Sequence, residues 1–568
     1  MNIIHAIVGI SLFLPIPFGL YLERNFLGED FPILFGLLLQ GILGNIILFY
    51  VRGYEHKNLN KIFFGYFIFF LGLSGSYLSG KNFLLLFFWE VSTVGAIFIY
   101  LGGPFTVKGI RSIVALFLAS SISMVLLCVW IFLPENDPTG FYFLLIALLI
   151  KSAFSGLHLW LPEAHSGPPA HGSATYSGLM INLPFILFLR YSPPSLATFG
   201  PIEFLIFFSG LGIFLGGITS FFHSDLKKTL AYSTVENSNF LWLNLLISKF
   251  WMGNENPILN QLGFAFLILF YITLTHHSIS KIYQFLSFGY LAKLGGSTST
   301  DECKGIGRIS GLPFLASSMG SLSFAMIPGT VGFLSESTFL YLTTVVIDLP
   351  LSASTLILPA LVFICTGLVV GSAAHLKLFL TLLLSVPRNP PKEQSIPSPF
   401  LSRSLSSIGI LILAIPILIW MPFYSMDILR SNLSSNFISW IFQVSGISIL
   451  VIVFGIIVFT TKFSHKIKTR QLWDCGSQFR GHEVSIPGSV ISDPMFETMG
   501  KYLQLGSGES RIDSSILNLI TRILNLGRFW SKFFETGDLS TYLFLSAVGL
   551  LFSIGILLAY QSFIGVNL

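Results

Sequence analysis

Apolar runs about 17–25 residues long recur from one end of this sequence to the other, and each can cross about 30 Å of hydrocarbon as a helix. They fall near 3–21, 31–51, 61–79, 82–102, 112–133, 140–161, 174–194, 201–222, 231–249 and 258–291. Further runs lie near 311–346, 354–386, 405–423, 438–461 and 541–562. A soluble fold cannot hide so much apolar surface, because its outside must face water. The chain is 53% hydrophobic and only 10% charged, against roughly 25% charged in ordinary soluble domains. The expectation is an all-α integral membrane protein with about fifteen transmembrane helices. The first run lacks a basic leader and a small-residue cleavage site, so it reads as a span rather than a signal peptide.

Charge in the loops fixes the crossings. Alternate loops carry Arg52, Lys57 and Lys61, then Lys108 and Arg111, then Lys227 and Lys228. The series continues with Lys293, Lys304 and Arg308, and then Arg388, Lys392 and Arg403. The positive-inside rule puts these loops on one face. That holds only if 311–346, interrupted by Pro328-Gly329, crosses once as a broken helix. The N-terminus and the polar segment 462–540 are then inside, and the C-terminus outside. Within 462–540, residues 511–534 have the apolar spacing of a helix lying on a membrane surface.

The organisation expected is N-terminal spans (1–79), a first half (80–250) with a helix broken near 160–173, and a second half (251–390) broken near 328. Additional spans (391–461), the polar segment (462–540) and a last span (541–562) follow. Broken helices at membrane depth expose backbone polar groups, which only protein or a wet cavity can satisfy. Paired breaks in two half-units mark ion sites in transporters.

Several spans contain ionisable residues. A charge at the bilayer centre costs at least ~2.5–3.5 kcal/mol, so it is expected to be paired or functional. Glu90 sits inside Phe83–Val91, Lys151 follows Leu144–Ile150, and His277 and Lys281 fall four residues apart on one helical face. Glu336 follows the Pro328-Gly329 break, and His375 and Lys377 lie within 354–386. Acids and bases able to trade protons, with water between them, form a relay. The expected proton path is Glu90, Lys151, His277, Lys281 and Glu336. His158, His165 and His171 cluster around the first break and read as proton-entrance or auxiliary groups, as do His375 and Lys377. The three histidines are spaced by seven and six residues, unlike a metal-binding pair on one helical face, so no metal site is expected. Asp225 with Lys227 and Lys228 reads as a charge cluster at a helix start.

The four cysteines are scattered without a CxxC pair, and the sequence has neither a Gly-rich dinucleotide fingerprint nor a P-loop. No cofactor is expected on this chain, and no catalytic residue is assigned.

Lys151-Ser-Ala-Phe-Ser-Gly-Leu-His158-Leu-Trp-Leu-Pro-Glu-Ala-His165 resembles the signature of the antiporter-like subunits of respiratory complex I and its relatives. So do Asp225-Leu-Lys-Lys-Thr-Leu-Ala-Tyr-Ser-Thr234, His277-Ser-Ile-Ser-Lys281, Phe88-Trp89-Glu90 and Gly332-Phe-Leu-Ser-Glu336. The resemblance covers roughly residues 80–390. It implies two inverted five-helix repeats, with Glu90 and Lys151 as the pair of the first half. It makes Lys281 the central lysine, His277 its neighbour and Glu336 the exit-side group. Val235-Glu236-Asn237 and Trp473-Asp474-Cys475-Gly476 are similar to the hydrogenase-linked branch, as in formate hydrogenlyase and hydrogenase 4 component B. That branch implies nickel–iron hydrogenase-like and iron–sulfur partner subunits, the redox chemistry lying outside this chain. A subunit of a multi-subunit cation/proton antiporter, or a non-conducting scaffold, are the alternatives. The implied location is a bacterial-type inner membrane, or an organellar inner membrane.

The sequence also departs from the resemblance. The glutamate span is fourth where the family normally has it fifth. Asn182 stands where many relatives carry a second basic residue.

Overall fold

A computed structural model describes residues 31–55, 57–101, 107–134, 137–309, 312–349, 357–385, 399–418 and 434–462. The spans expected at 3–21 and 541–562 lie outside these residues. So do the surface helix at 511–534 and the Trp473-Asp474-Cys475-Gly476 segment.

The described residues form a helical bundle. Its first helices are α1 (Phe31–Tyr54), α2 (Leu59–Leu78), α3 (Phe83–Leu101), α4 (Val107–Phe132) and α5 (Pro138–Lys151). The short α6 (Trp160–Ser166) and α7 (Ala170–Thr175) lead through a π-helical turn at Tyr176–Met180 into α8 (Asn182–Tyr191). Then come α9 (Ile202–Phe222), α10 (Leu226–Trp251), α11 (Pro257–Gly295), α12 (Leu312–Phe324) and α13 (Val331–Ile347). The last are α14 (Leu358–Leu378), running into a π-helical turn at Phe379–Leu384, α15 (Pro399–Leu418) and α16 (Ser435–Lys462). Among the described residues, eight helices are long and apolar enough to cross a membrane. This is the all-α membrane architecture the apolar runs predict.

Local chemistry sets the ends. Asp137 caps α5 by accepting from the Thr139 amide at 2.8 Å, with Pro138 in the first turn where its missing N–H is no loss. Asn256 and Pro257 start α11 in the same way, and Gly296 ends it in the left-handed conformation that suits glycine. At 39 residues α11 is about 58 Å long, well beyond a bilayer core. Asp225 caps α10 through the Lys228 amide and accepts from the Thr298 hydroxyl at 2.7 Å, so it is indeed a helix-start charge.

The cationic loops meet on one face. Lys228 pairs with Glu163 at 3.4 Å, the Lys293 ammonium donates to the Tyr54 carbonyl at 2.6 Å, and Lys227 donates to the Pro168 carbonyl. Loops that the positive-inside rule assigns together are therefore together in space.

Both broken helices share one backbone pattern. The first leaves the helix at Lys151, well ahead of Leu161-Pro162. Ala153 (φ 57°) and Gly156 (φ 82°) then take left-handed conformations. The second leaves after Phe324, with Met326 (φ 57°) and Gly329 (φ 98°) in the same relation, three residues apart. Ahead of each break a glutamate lies on the second helix before the broken one: Glu90 on α3, then α4, then α5; Glu236 on α10, then α11, then α12.

Candidate functional site: a buried chain of acids, bases and hydroxyls

The first break survives in the bundle because α10 supplies partners for it. The Ser155 amide donates to Asn239 Oδ1 at 3.0 Å, and the Trp242 indole N–H donates to Ser152 Oγ at 2.7 Å. The Ser238 hydroxyl donates to the Ser152 carbonyl. The Trp160 indole N–H donates to the Ile150 carbonyl at 2.8 Å, which also accepts from the Ala153 amide at 3.1 Å. Exposed backbone groups are thus satisfied by protein, as membrane depth demands.

Lys151, fully buried at the end of α5, donates to Ser120 Oγ at 2.8 Å and Thr93 Oγ1 at 3.3 Å. Its ammonium also lies 5.3 Å from the centre of the Trp89 ring, a cation–π contact. Glu90 is its electrostatic partner but makes no direct ion pair with it. One Glu90 oxygen, Oε1, is buried without a hydrogen bond. The half-buried side chain borders an open apolar groove of about 490 Å³ between α2, α3 and α4.

α11 carries the second group. Lys281, fully buried, donates to Ser233 Oγ and reaches the Leu230 carbonyl at 3.5 Å. Its ammonium lies 4.2 Å from the Phe324 ring centre. His277 contacts the Ser177 carbonyl through Nε2 at 3.1 Å, while Nδ1 has no partner. That carbonyl lies in the π-helical turn, where the wider winding re-aims backbone groups at a neighbour. Glu336 is buried on α13, with Oε2 unpartnered.

Glu236, absent from the path read in the sequence, joins these groups. It is 4% exposed and interacts electrostatically with both Lys281 and Glu336. Its carboxylate lies in a notch against Gly371: a methyl group there would fall 1.9 Å from Oε1. The backbone of Glu236 also presses on Gly216, where a methyl group would fall 2.6 Å from the Glu236 amide nitrogen. His276 was also missed. Its ring lies 4.6 Å from Phe324, and Nδ1 is 3.2 Å from Ser280 Oγ. The only sequence signal for Glu236 was its place in a motif, Val235-Glu236-Asn237; its helix is too polar for one acid to stand out.

The remaining candidates separate. His375 stacks on Phe324 at 4.6 Å and accepts from the Gln284 amide at 2.8 Å, close to the Lys281 group. Lys377 donates to the Phe221 and His223 carbonyls at the end of α9, the place of a helix-terminating cation. The three histidines near the first break do not form one cluster. His158 faces Tyr232, and His165 lies flat on Phe285 at 4.9 Å. His171 meets Glu55 at 3.3 Å and Tyr66 at 3.0 Å. Among the described residues no group of three or more His, Cys, Asp or Glu is placed to hold a metal. Asn182 donates to the Gly178 carbonyl at 2.9 Å and to Ser278 Oγ at 2.8 Å, and leaves Oδ1 unpartnered.

A multi-span bundle with acids and bases buried in its interior is an integral membrane protein. Residues 79–363 match the transmembrane family of NADH:quinone oxidoreductase and Mrp antiporter subunits, and the chain belongs to that family. An antiporter subunit (mnhA2) of Staphylococcus aureus strain JH9 is 24% identical over 338 residues, covering 55% of this chain and 42% of that protein. The USA300 form is 25% identical over 339 residues with the same coverage. The chain thus matches less than half the length of these curated relatives. The fold is shared with a chain of the archaeal membrane-bound sulfane sulfur reductase, at a TM-score of 0.64 and 16% identity, covering 97% of this chain and 96% of that one. A chain of the Mrp complex from Dietzia sp. gives a TM-score of 0.62 and 17% identity, covering 94% and 56%. A chain of respiratory complex I from Thermus thermophilus gives 0.54 and 16%, covering 74% and 93%.

Proposed function

We propose that this chain is a proton-translocating membrane subunit of a hydrogenase-like or complex-I-like oxidoreductase in an inner membrane. Its interior hands protons between Glu90 and Lys151, and between Glu236, Lys281 and Glu336. His277 lies between the halves. The observation that carries this reading is Glu236 between Lys281 and Glu336. Two buried acids and a base drawn from three helices cost more than a structural core would spend, unless protons move among them. The fold shared with a chain of the archaeal sulfane sulfur reductase, a respiratory membrane complex, supports a respiratory partner set, with redox subunits supplying the driving force. Nickel–iron and iron–sulfur partners are the specific form of that set, on the strength of Val235-Glu236-Asn237.

The test is proton uptake by the intact complex, purified with its native partners and reconstituted in liposomes. Lys281→Ala and Glu236→Gln should each abolish coupled proton movement while assembly stays normal. Full pumping in both variants would refute the reading.

A second reading, a cation/proton antiporter subunit, is favoured by the identity to the Staphylococcus aureus subunits. It requires that a sodium gradient drive proton movement in the same liposomes, without electron transfer.

A further inference from the structure

The contacts of His171 with Glu55, Tyr66 and Thr175 form a separate polar chain at the face that gathers the cationic loops. Glu55 follows the last turn of α1, and its side chain is 24% exposed, so it exchanges with water. One carboxylate oxygen lies 3.3 Å from His171 Nε2. His171 is fully buried near the start of α7, and its Nδ1 lies 3.0 Å from the Tyr66 hydroxyl on α2. Tyr66 in turn lies 3.1 Å from Thr175 Oγ1, whose own hydroxyl donates to the His171 carbonyl at 2.8 Å. The π-helical turn begins at the next residue, and Ser177 within it offers the carbonyl that meets His277.

The hydrogen-bond directions are informative. The Thr175 proton goes to the His171 carbonyl, so the Tyr66 hydroxyl donates to Thr175. Tyr66 oxygen is then free to accept from Nδ1–H, and Glu55 accepts from Nε2–H. A doubly protonated ring satisfies every contact in one arrangement. When the ring loses a proton from Nδ1, Tyr66 must turn its hydroxyl back toward that nitrogen. The contact to Thr175 then needs a donor it no longer has.

We propose that Glu55 and His171 form a proton-loading site, collecting protons from the cationic-loop face and passing them through Tyr66 and Thr175 toward the opened turn beside His277. A proton from water enters at the Glu55 carboxylate and moves to Nε2 of a ring that carries its own proton on Nδ1. The Nδ1 proton then moves to the Tyr66 oxygen as the Tyr66 proton moves to Thr175 Oγ1 and the Thr175 proton passes to water in the opened turn, leaving imidazole, tyrosine and threonine neutral. The inference rests on the proton-carrying reading of the Glu236–Lys281 interior. The groups facing His171 are Glu55 and Tyr54 after and on α1, and Tyr66 on α2. Tyr176 follows it in the chain, and Lys227 and Lys293 act from α10 and α11. Glu55 is the only carboxylate among them.

The experiment has two arms. The first is deuterium exchange at the imidazole C2 position, read residue by residue by mass spectrometry on the purified complex across a pH series. His171 should titrate with the bulk, and Glu55→Gln should move the midpoint of its exchange down by about one pH unit, as removal of a close opposite charge does. The second is coupled proton uptake in liposomes holding the full complex. Above both midpoints, proton occupancy falls tenfold for each unit of midpoint lost. Glu55→Gln should therefore slow uptake roughly tenfold at alkaline pH and little at acid pH, and His171→Gln should slow it at every pH. An unchanged His171 titration in Glu55→Gln overturns the loading site. So does an unchanged pH profile of uptake while Lys281→Ala still abolishes it. If Lys281→Ala pumps normally, the proton-carrying interior itself fails and the inference falls with it.

Discussion

Gly371→Ala tests the placement of Glu236 without touching an ionisable group. The new methyl would fall 1.9 Å from Glu236 Oε1 and 2.4 Å from its carboxyl carbon. Ordinary contact begins near ~3.5 Å, so the carboxylate must retreat by roughly 1.5 Å. A displacement of about 1 Å in a reacting group can cost ~10²-fold, equivalent to about 2.7 kcal/mol of barrier. The expected result is a hundredfold loss of coupled proton uptake in reconstituted complex, with assembly and electron transfer intact. Glu236→Asp in the Gly371→Ala background sets the carboxylate back by one methylene and should recover at least part of the rate. Glu236→Gln combined with Gly371→Ala should be no worse than Glu236→Gln alone, since both act on one carboxylate. Gly216→Ala is the contrasting control: its methyl meets the Glu236 backbone at 2.6 Å and should cost assembly. Wild-type uptake in Gly371→Ala, or additive losses in the double variant, would refute the reasoning.

Three further outcomes are expected. Lys151→Ala and Glu90→Gln should each lower proton uptake sharply in assembled complex; unchanged uptake in both would remove the first-half pair from the path. Asn182→Lys restores a base where the amide now meets Ser278, and should raise uptake; a normal or lower rate in well-assembled protein would show that this step does not limit flow. Cys303, in the loop after α11, is pushed up to about 11 by burial, with the nearby Glu302 adding to the effect. Its thiol is neutral below that value, so at pH 8 only about one molecule in a thousand carries the reactive thiolate. Maleimide labelling at Cys303, read by peptide mapping, should therefore be slow at neutral pH and rise about tenfold per pH unit up to that value.

The legibility of the site followed contrast. Glu90, Lys151 and Lys281 stand among apolar neighbours, so each was visible as a charge that lipid would reject. Glu236 stands among Ser233, Thr234, Asn237, Ser238 and Asn239, and a further polar residue there changes no pattern. Its significance lies in Gly371, 135 positions later, which only folding brings against it. The second break was marked by Pro328-Gly329. The first begins at Ala153, a residue with no turn preference, held in a left-handed conformation by partners on α10. The histidines near the first break lie within fourteen residues of one another, but each packs against a different helix. His171 could not be matched to Glu55 because their 116-residue separation carries no periodic signal.

The polarity of α10 bears on how the protein is made. At 26 residues it is longer than many spans, yet it is not among the helices apolar enough to cross a membrane on their own. An insertion machinery that weighs segments one at a time would leave it in water. It packs between α9 and α11, and these neighbours rather than lipid cover its polar side chains, Glu236 among them. A helix of this composition is stable in a bilayer only in such company.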